Sequence, residues 1–205
     1  MEPSVHQERR LLNAPRWHTS AWLNSDRPLC VEQLRGRVVL LHAFQMLCPG
    51  CVAHALPQAQ RAAEMFAATP FAVIGLHTVF EHHEAMGLQS LRAFVHEYRI
   101  RYPVGVDMPG TGGEPVPRTM QAYAMQGTPT TVLIDAQGRL RLQAFGALDD
   151  LRLGAEIGVL LEEARKRRPT DSFVIQRLAL SIYKSKQPDA MTALNDALEL
   201  LRVLK

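Results

Sequence analysis

Two cysteines separated by two residues, Cys48 and Cys51, are the side chains of this sequence best suited to do chemistry. A thiolate at one of them can attack a disulfide, and the second thiol, one helical turn away, can resolve the mixed disulfide that forms. Pro49 between them fits the start of a helix, because the N–H that proline lacks would have no partner there. The pair therefore indicates thiol–disulfide exchange.

The segments on either side of the pair must position it. Residues 38–41 are a continuous apolar run, with Ala43 and Phe44 close behind, which is typical of a buried strand. Residues 52–68 are rich in Ala, Leu, Gln and Arg, which favour a helix. The first cysteine then lies at a helix N-terminus, where unpaired N–H groups and the macrodipole favour a thiolate.

A second motif lies far downstream, where Gly-Thr-Pro-Thr-Thr-Val-Leu-Ile-Asp occupies residues 127–135. Together with the strand, the cysteine pair and the Leu-Arg-Gly-Arg approach at residues 34–37, it resembles the thioredoxin superfamily, in its TlpA-like and redoxin branch. The resemblance covers about residues 17–161. It implies an α/β fold: a three-layer α/β/α sandwich with a mixed central sheet.

The resemblance also implies roles for individual residues. Cys48 would be the nucleophile and Cys51 the resolving thiol, with Pro129 as the cis-proline that faces them. The residues expected to contact substrate are Thr128, Leu47, Pro49 and Gly50. Leu47 replaces the tryptophan that is familiar before the first cysteine, and the Pro-Gly order reverses that of thioredoxin, so neither the substrate platform nor the redox potential carries over.

His42 lies six residues before Cys48, where thioredoxins carry a buried aspartate and TlpA-like proteins often carry asparagine. That aspartate is commonly assigned the task of taking the proton from the resolving cysteine. An imidazole can do the same near neutral pH. A neutral histidine that merely fills the core is the equally open interpretation.

Other candidate groups have simpler interpretations. We expect Cys30 to be buried and inert, with a regulatory thiol that pairs with Cys48 as the alternative. We expect His54, one turn beyond Cys51, to be a surface histidine. The cluster at 77–84, which holds three histidines and two glutamates, is expected to be a solvated loop near the active face. A copper site is the weaker alternative there, and a zinc site at Cys48 and Cys51 would need Cys30 and histidines to complete it, so no metal and no cofactor are predicted.

Composition restricts the remaining functions. A 205-residue chain with 47% hydrophobic residues can bury one sizeable core. A formal charge of +3 predicts neither nucleic acid nor a membrane surface as partner. The first fifteen residues hold no apolar stretch typical of a signal peptide, and two of the three cysteines form the redox pair. We therefore expect a cytoplasmic protein.

The chain divides into an N-terminal arm at 1–15, a thioredoxin-like domain at 16–166 and a C-terminal helical extension at 167–205. Within the domain, strands are predicted at 29–31, 38–44, 71–77, 102–106, 130–134 and 139–145, the last two joined by a hairpin turn. Helices are predicted at 52–68, 84–99, 118–125 and 149–166. The extension carries helical patterns at 172–185 and 188–204, the second amphipathic. We expect it to dock on the chain's own core, with a homodimer or partner surface as the alternative.

The resulting hypothesis is a thiol-disulfide oxidoreductase that exchanges two electrons with a protein or small-thiol disulfide and is supplied by an electron-donating reductase. A peroxiredoxin-like peroxidase is an alternative. Its pattern places Pro and Thr where this sequence has Leu41 and Gln45, which disfavours it. A partner-binding module that uses the C-terminal helices is the non-enzymatic alternative.

Overall fold

The computed structural model describes residues 11–167. The two helices predicted in the C-terminal extension, at 172–185 and 188–204, lie outside the described residues. The domain boundaries therefore stay predictions.

Within residues 11–167, six strands form a mixed sheet. Their bounds are β1 Thr19–Leu23, β2 Val38–Phe44, β3 Phe71–His77, β4 Val104–Asp107, β5 Thr130–Ile134 and β6 Leu140–Phe145. The strand order is β1-β4-β3-β2-β5-β6, in which β2, β3 and β4 are parallel and each of the other strands is antiparallel to its neighbour. Because β5 runs against β2, the residues that precede β5 meet the residues that follow β2 at one edge of the sheet.

Helices cover both faces of this sheet. Their bounds are α1 Leu56–Met65, α2 Leu88–Glu97, α3 Arg118–Ala122 and α4 Asp150–Arg167, with a 3₁₀ helix at Val31–Leu34. Apolar residues of α1, α2 and α4 pack on one face in a cluster that includes Leu40 and Phe44. The opposite face packs Leu41 and Ala43 against α3 and the N-terminal segment. The predicted α/β/α layering is therefore confirmed.

The prediction of a strand at 29–31 is wrong. Cys30 is extended, but the chain passes directly into the 3₁₀ helix at Val31–Leu34, and the edge strand beside β4 is Thr19–Leu23 instead. Residues Thr19–Leu23 form a strand because they pair with β4, although buried and exposed side chains alternate only weakly along them. The helix predicted from residue 84 begins at Leu88, because Gly87 before it is extended.

The two tryptophans belong to a flap on the face opposite the helix α1. Trp17 is buried, and its Nε1 donates a hydrogen bond to the Tyr123 hydroxyl at 3.0 Å. Trp22 lies on β1 with its ring centroid 6.3 Å from that of Trp17. The N-terminal segment is therefore packed on the core of this face.

Helix α4 is the longest helix in the described part of the chain. No helix between residues 11 and 167 combines the length and the apolar character that crossing a bilayer requires.

Candidate active site

Cys48 lies at the point where β2 passes into the following helix. The strand ends at Phe44, a short turn follows, and the helix begins at Pro49. The Cys48 N–H donates to the Gln45 carbonyl at 3.3 Å, and the Cys48 carbonyl accepts the Val52 N–H at 3.1 Å. Cys48 Sγ accepts the Cys51 N–H at 3.3 Å. An N–H of the first helical turn thus points at the sulfur, which favours negative charge there.

The two thiols of the pair differ in environment. Both are free in this structure; Cys48 is half-buried, whereas Cys51 is only 1% exposed. Burial, followed by the hydrogen bond with Cys48, raises the pKa of the Cys51 thiol to about 12, although the Gln45 backbone and the Thr128 side chain favour its thiolate. An accessible thiol beside a buried, protonated one suits a nucleophile and a resolving group.

The loop before β5 closes the other side of the site. The Thr128–Pro129 peptide bond is cis, and the Cys48 thiol donates to the Thr128 carbonyl at 3.5 Å. A Cβ added at Gly50 would lie 3.4 Å from Pro129 Cδ, so the helix start packs directly on the proline. The structure thus brings the two cysteines together with the Thr128–Pro129 segment, although Cys48 and Thr128 are 80 residues apart in sequence.

Gln45 is a site residue that the sequence reasoning did not identify as functional. Its side chain is 1% exposed, and its Nε2 donates to Glu81 Oε1 at 3.2 Å and to Thr128 Oγ1 at 3.4 Å. Its Oε1 accepts the Phe80 N–H at 3.2 Å. The amide therefore joins the loop after β3 to the loop before β5. The available signal was a polar residue between Phe44 and Met46 in an apolar run.

The helix that follows the pair contains one π-helical turn at Cys51–Ala55, before α1. The Leu56 N–H bonds to the Cys51 carbonyl, five residues back, instead of four. Such a turn accommodates one additional residue within a helix.

His42 is 1% exposed and its ring stacks on Phe44, with the two centroids 5.4 Å apart. Burial lowers the pKa of His42 to about 4, so its imidazole is neutral at pH 7. Its Nε2 has no hydrogen-bond partner within the described residues. No hydrogen bond among those residues joins His42 to Cys51.

The remaining candidates lie outside the site. Cys30 is partly exposed, so the prediction that it is buried is wrong; it precedes the 3₁₀ helix, whose Val31 packs on the opposite face of the sheet from Cys48. His54 is exposed, as predicted. His77 is buried, whereas residues 81–84 form an exposed loop beside Gln45. Between residues 11 and 167 no group of three or more His, Cys, Asp or Glu side chains could hold a metal ion.

Two exposed apolar side chains border the site. Leu47, next to Cys48, is 58% exposed, and Phe145, at the end of β6, is 56% exposed. The Phe145 ring lies over Gly127, where an added Cβ would come within 2.8 Å of it. Glycine at position 127 therefore leaves room for this ring, which gives the loop before β5 an apolar border.

The fold and the paired cysteines define a thioredoxin-like protein. The chain belongs to the AhpC/TSA family, whose model matches residues 14–143. No curated protein matches the chain.

Solved structures agree with this assignment. The thioredoxin-like superfamily protein SPOA0173 is 55% identical, with a TM-score of 0.71 over 73% of this chain and 96% of that one. A thiol-disulfide isomerase from Corynebacterium glutamicum is 46% identical, with a TM-score of 0.68 over 73% of this chain and 97% of its own. A thiol:disulfide interchange protein of the thioredoxin family from Chlorobium tepidum is 19% identical, with a TM-score of 0.54 over 74% and 97% of the two chains. This last similarity shows the fold alone, while the first two support a thioredoxin-like redox function.

Proposed function

We propose that this protein is a thiol-disulfide oxidoreductase in which Cys48 and Cys51 exchange two electrons with a disulfide substrate. The observation that carries the proposal is the arrangement of the two sulfurs. Cys48 is accessible, lies at a helix start and contacts the Thr128 carbonyl at 3.5 Å, while Cys51 is buried one turn later. The 46% identity to a thiol-disulfide isomerase supports the same chemistry.

The exchange has two steps. The Cys48 thiolate attacks one sulfur of the substrate disulfide, the substrate S–S bond breaks, and one substrate thiolate leaves with the electron pair. The Cys51 thiolate then attacks the Cys48 sulfur of the mixed disulfide, which releases the second substrate thiolate and leaves a Cys48–Cys51 disulfide. A reductase that supplies two electrons completes the cycle.

His42 is the proposed acceptor for the Cys51 proton. Its support is a neutral imidazole with an unpartnered Nε2 on the strand that leads to the cysteines. A pKa of about 4 makes His42 a weak base, so in this proposal it holds the proton only transiently.

The proposed substrates are polypeptide disulfides. Leu47 and Phe145 offer exposed apolar surface on the border of the site, and apolar contacts of this kind favour a polypeptide over a small polar thiol. In this proposal Thr128, Pro129, Pro49 and Gly50 form the remaining substrate surface. A TlpA-like relationship and a cytoplasmic location stay predictions.

Reduction of the insulin disulfides, followed by turbidity with dithiothreitol as electron donor, tests the proposal. We expect Cys48→Ser to bring the rate down to that of dithiothreitol alone. Cys51→Ser should instead accumulate a mixed disulfide with the substrate, visible by mass spectrometry. Cys30→Ser is the matched control and should retain the wild-type rate.

Two outcomes would contradict the proposal. Retained insulin reduction in Cys48→Ser would exclude the pair as the redox centre. Rapid consumption of hydrogen peroxide by a protein that leaves insulin intact would favour the peroxidase alternative.

A further inference from the structure

A cleft lies at the edge of the sheet opposite the cysteine pair. It is formed by the end of β1, the end of α2 and the residues that lead into β4, and its volume is about 660 Å³. Strands β2, β3 and β4 are parallel; the cysteines follow the end of β2, whereas the cleft precedes the start of β4. The cleft is therefore separate from the proposed redox site, and its size is typical of a site for a small molecule.

Three arginines, Arg92, Arg99 and Arg101, line this cleft, which we call the arginine cleft. All three are exposed, and none makes a side-chain hydrogen bond or ion pair with another residue between 11 and 167. Asp26 is the one carboxylate among the described residues that line the cleft. Three positive groups therefore face one negative group.

Helix α2 supplies no counter-charge for Arg92. The usual partner for an arginine on a helix is a carboxylate three or four residues away. Around Arg92 those positions hold Leu88, Gln89, Val95 and His96. The negative end of the α2 macrodipole favours a cation in the last turn, but it amounts to only about half an elementary charge. The cleft thus keeps a net positive charge.

Arg99 occupies a backbone conformation that favours glycine. It lies just beyond the end of α2, with φ of 51°. Its N–H donates to the His96 carbonyl and the Ile100 N–H donates to the Val95 carbonyl, both at 3.0 Å, which is a common way for a helix to end. Glycine is the usual residue at such a position, because any other side chain is strained there. Strained residues cluster at functional sites, so an arginine here indicates a role for its side chain in the cleft.

The walls of the cleft are held by hydrogen bonds. Asn24 Nδ2 donates to the Ile100 carbonyl at 2.7 Å and to the Tyr102 carbonyl at 3.1 Å, which joins the end of β1 to the residues before β4. Trp22 also lines the cleft, and its Nε1 donates to Thr19 Oγ1 at 2.9 Å. These walls are therefore in place before a ligand binds, which lowers the entropic cost of binding.

We propose that the arginine cleft binds a small molecule that carries several phosphate groups. A guanidinium presents its N–H groups in a planar fork that matches the oxygens of a phosphate. An excess of positive charge in a small concave site favours a compact ligand with more than one negative charge, and linked phosphates concentrate that charge. This binding is independent of the proposed redox function.

Isothermal titration calorimetry of the full chain with inorganic tripolyphosphate, in buffer without divalent cations, tests the proposal. We expect saturable one-to-one binding that weakens as the salt concentration rises. Arg92→Gln and Arg101→Gln should each weaken it roughly tenfold, since each removes a charge-assisted hydrogen bond. Citrate, which carries carboxylates instead of phosphates, should bind at least about tenfold more weakly. ATP should bind at least as tightly as tripolyphosphate, and a tighter value would assign the ligand to the nucleotides.

Arg99→Gly separates binding from folding. Glycine suits the positive φ of this position, so the midpoint of urea unfolding should stay the same or rise. Tripolyphosphate binding should nevertheless weaken roughly tenfold. Arg152→Gln, at an exposed arginine of α4, is the matched control: it removes the same charge and should leave binding unchanged. Insulin reduction should also be unchanged in all four variants, because the cleft lies away from the cysteines.

Four results would overturn the proposal. They are the absence of saturable tripolyphosphate binding, unchanged binding in Arg92→Gln and Arg99→Gly, equal weakening in the Arg152→Gln control, and citrate binding as tight as that of tripolyphosphate. Loss of insulin reduction in wild type would contradict the proposed redox function without affecting this one.

Discussion

The Phe44 ring packs against two buried imidazole rings, those of His42 and His77. The ring centroids of His42 and His77 each lie 5.4 Å from that of Phe44, and both histidines are 1% exposed. The Nε2 atom of each has no hydrogen-bond partner among the described residues. An unsatisfied buried nitrogen costs about 1–3 kcal/mol of stability.

The same burial makes stability depend on pH. Burial lowers the pKa of His42 from 6.5 to about 4, so between these values the unfolded state binds a proton that the folded state does not. The free energy of unfolding therefore falls as the pH falls through this window, by about 1.4 kcal/mol per pH unit for each such histidine.

His42→Leu should remove that dependence for one histidine. Urea unfolding at several pH values between 6.5 and about 4 should show a shallower loss of stability than in wild type. At neutral pH the variant should be at least as stable as wild type, because an unpartnered nitrogen is gone. Insulin reduction should slow in the folded variant if His42 accepts the Cys51 proton.

His54→Leu is the matched control, because His54 is exposed. It should change neither the pH dependence of stability nor the rate. An unchanged rate in His42→Leu, together with the shallower pH dependence, would leave His42 as a core residue and remove it from the mechanism.

At the scale of elements, the π-helical turn sets the direction of Cys51. The apolar face of α1 is fixed on the sheet by Leu56, Ala59 and Ala62, which are all buried. The turn at Cys51–Ala55 inserts one residue between this face and the cysteine pair. Removing that residue would rotate the pair by about 100° relative to α1, since an α-helix has 3.6 residues per turn.

Deletion of the exposed Ala53 should therefore separate folding from redox chemistry. We expect cooperative unfolding with reduced stability, because α1 keeps its packing, but a Cys51 sulfur turned away from Cys48 and Thr128. Thiol counting after mild oxidation should show that the Cys48–Cys51 disulfide no longer forms readily. Ala53→Gly, which keeps the residue count, should still form it; a deletion variant with normal oxidation would contradict this role of the turn.

At the scale of the molecule, the sequence predicted the elements that are fixed by local pattern. The apolar run of β2, the β-branched β5 and the turn around Gly138, which has φ of 83°, were each expected at their observed positions. The edge strand Thr19–Leu23 was missed, because its strand conformation depends on tertiary pairing with β4 and not on local sequence pattern. The role of Gln45 was missed for a related reason, since its bond to Thr128 joins residues 83 positions apart.

The reduction potential depends on the molecule as a whole, and the structure predicts its range. Thiol-disulfide oxidoreductases that are strong oxidants have a high reduction potential because their reduced form is stabilised. Here the pKa of the buried Cys51 thiol is raised to about 12, so this sulfur adds no thiolate stabilisation to the reduced form at neutral pH. We expect a potential near that of thioredoxin, about −270 mV, which is the value of a reductant.

Equilibration with mixtures of reduced and oxidised dithiothreitol, followed by thiol trapping and mass spectrometry, measures this potential. Cys30→Ser should give the same value, since Cys30 lies outside the pair. A potential well above roughly −200 mV would identify an oxidant or isomerase and would also contradict the predicted cytoplasmic location.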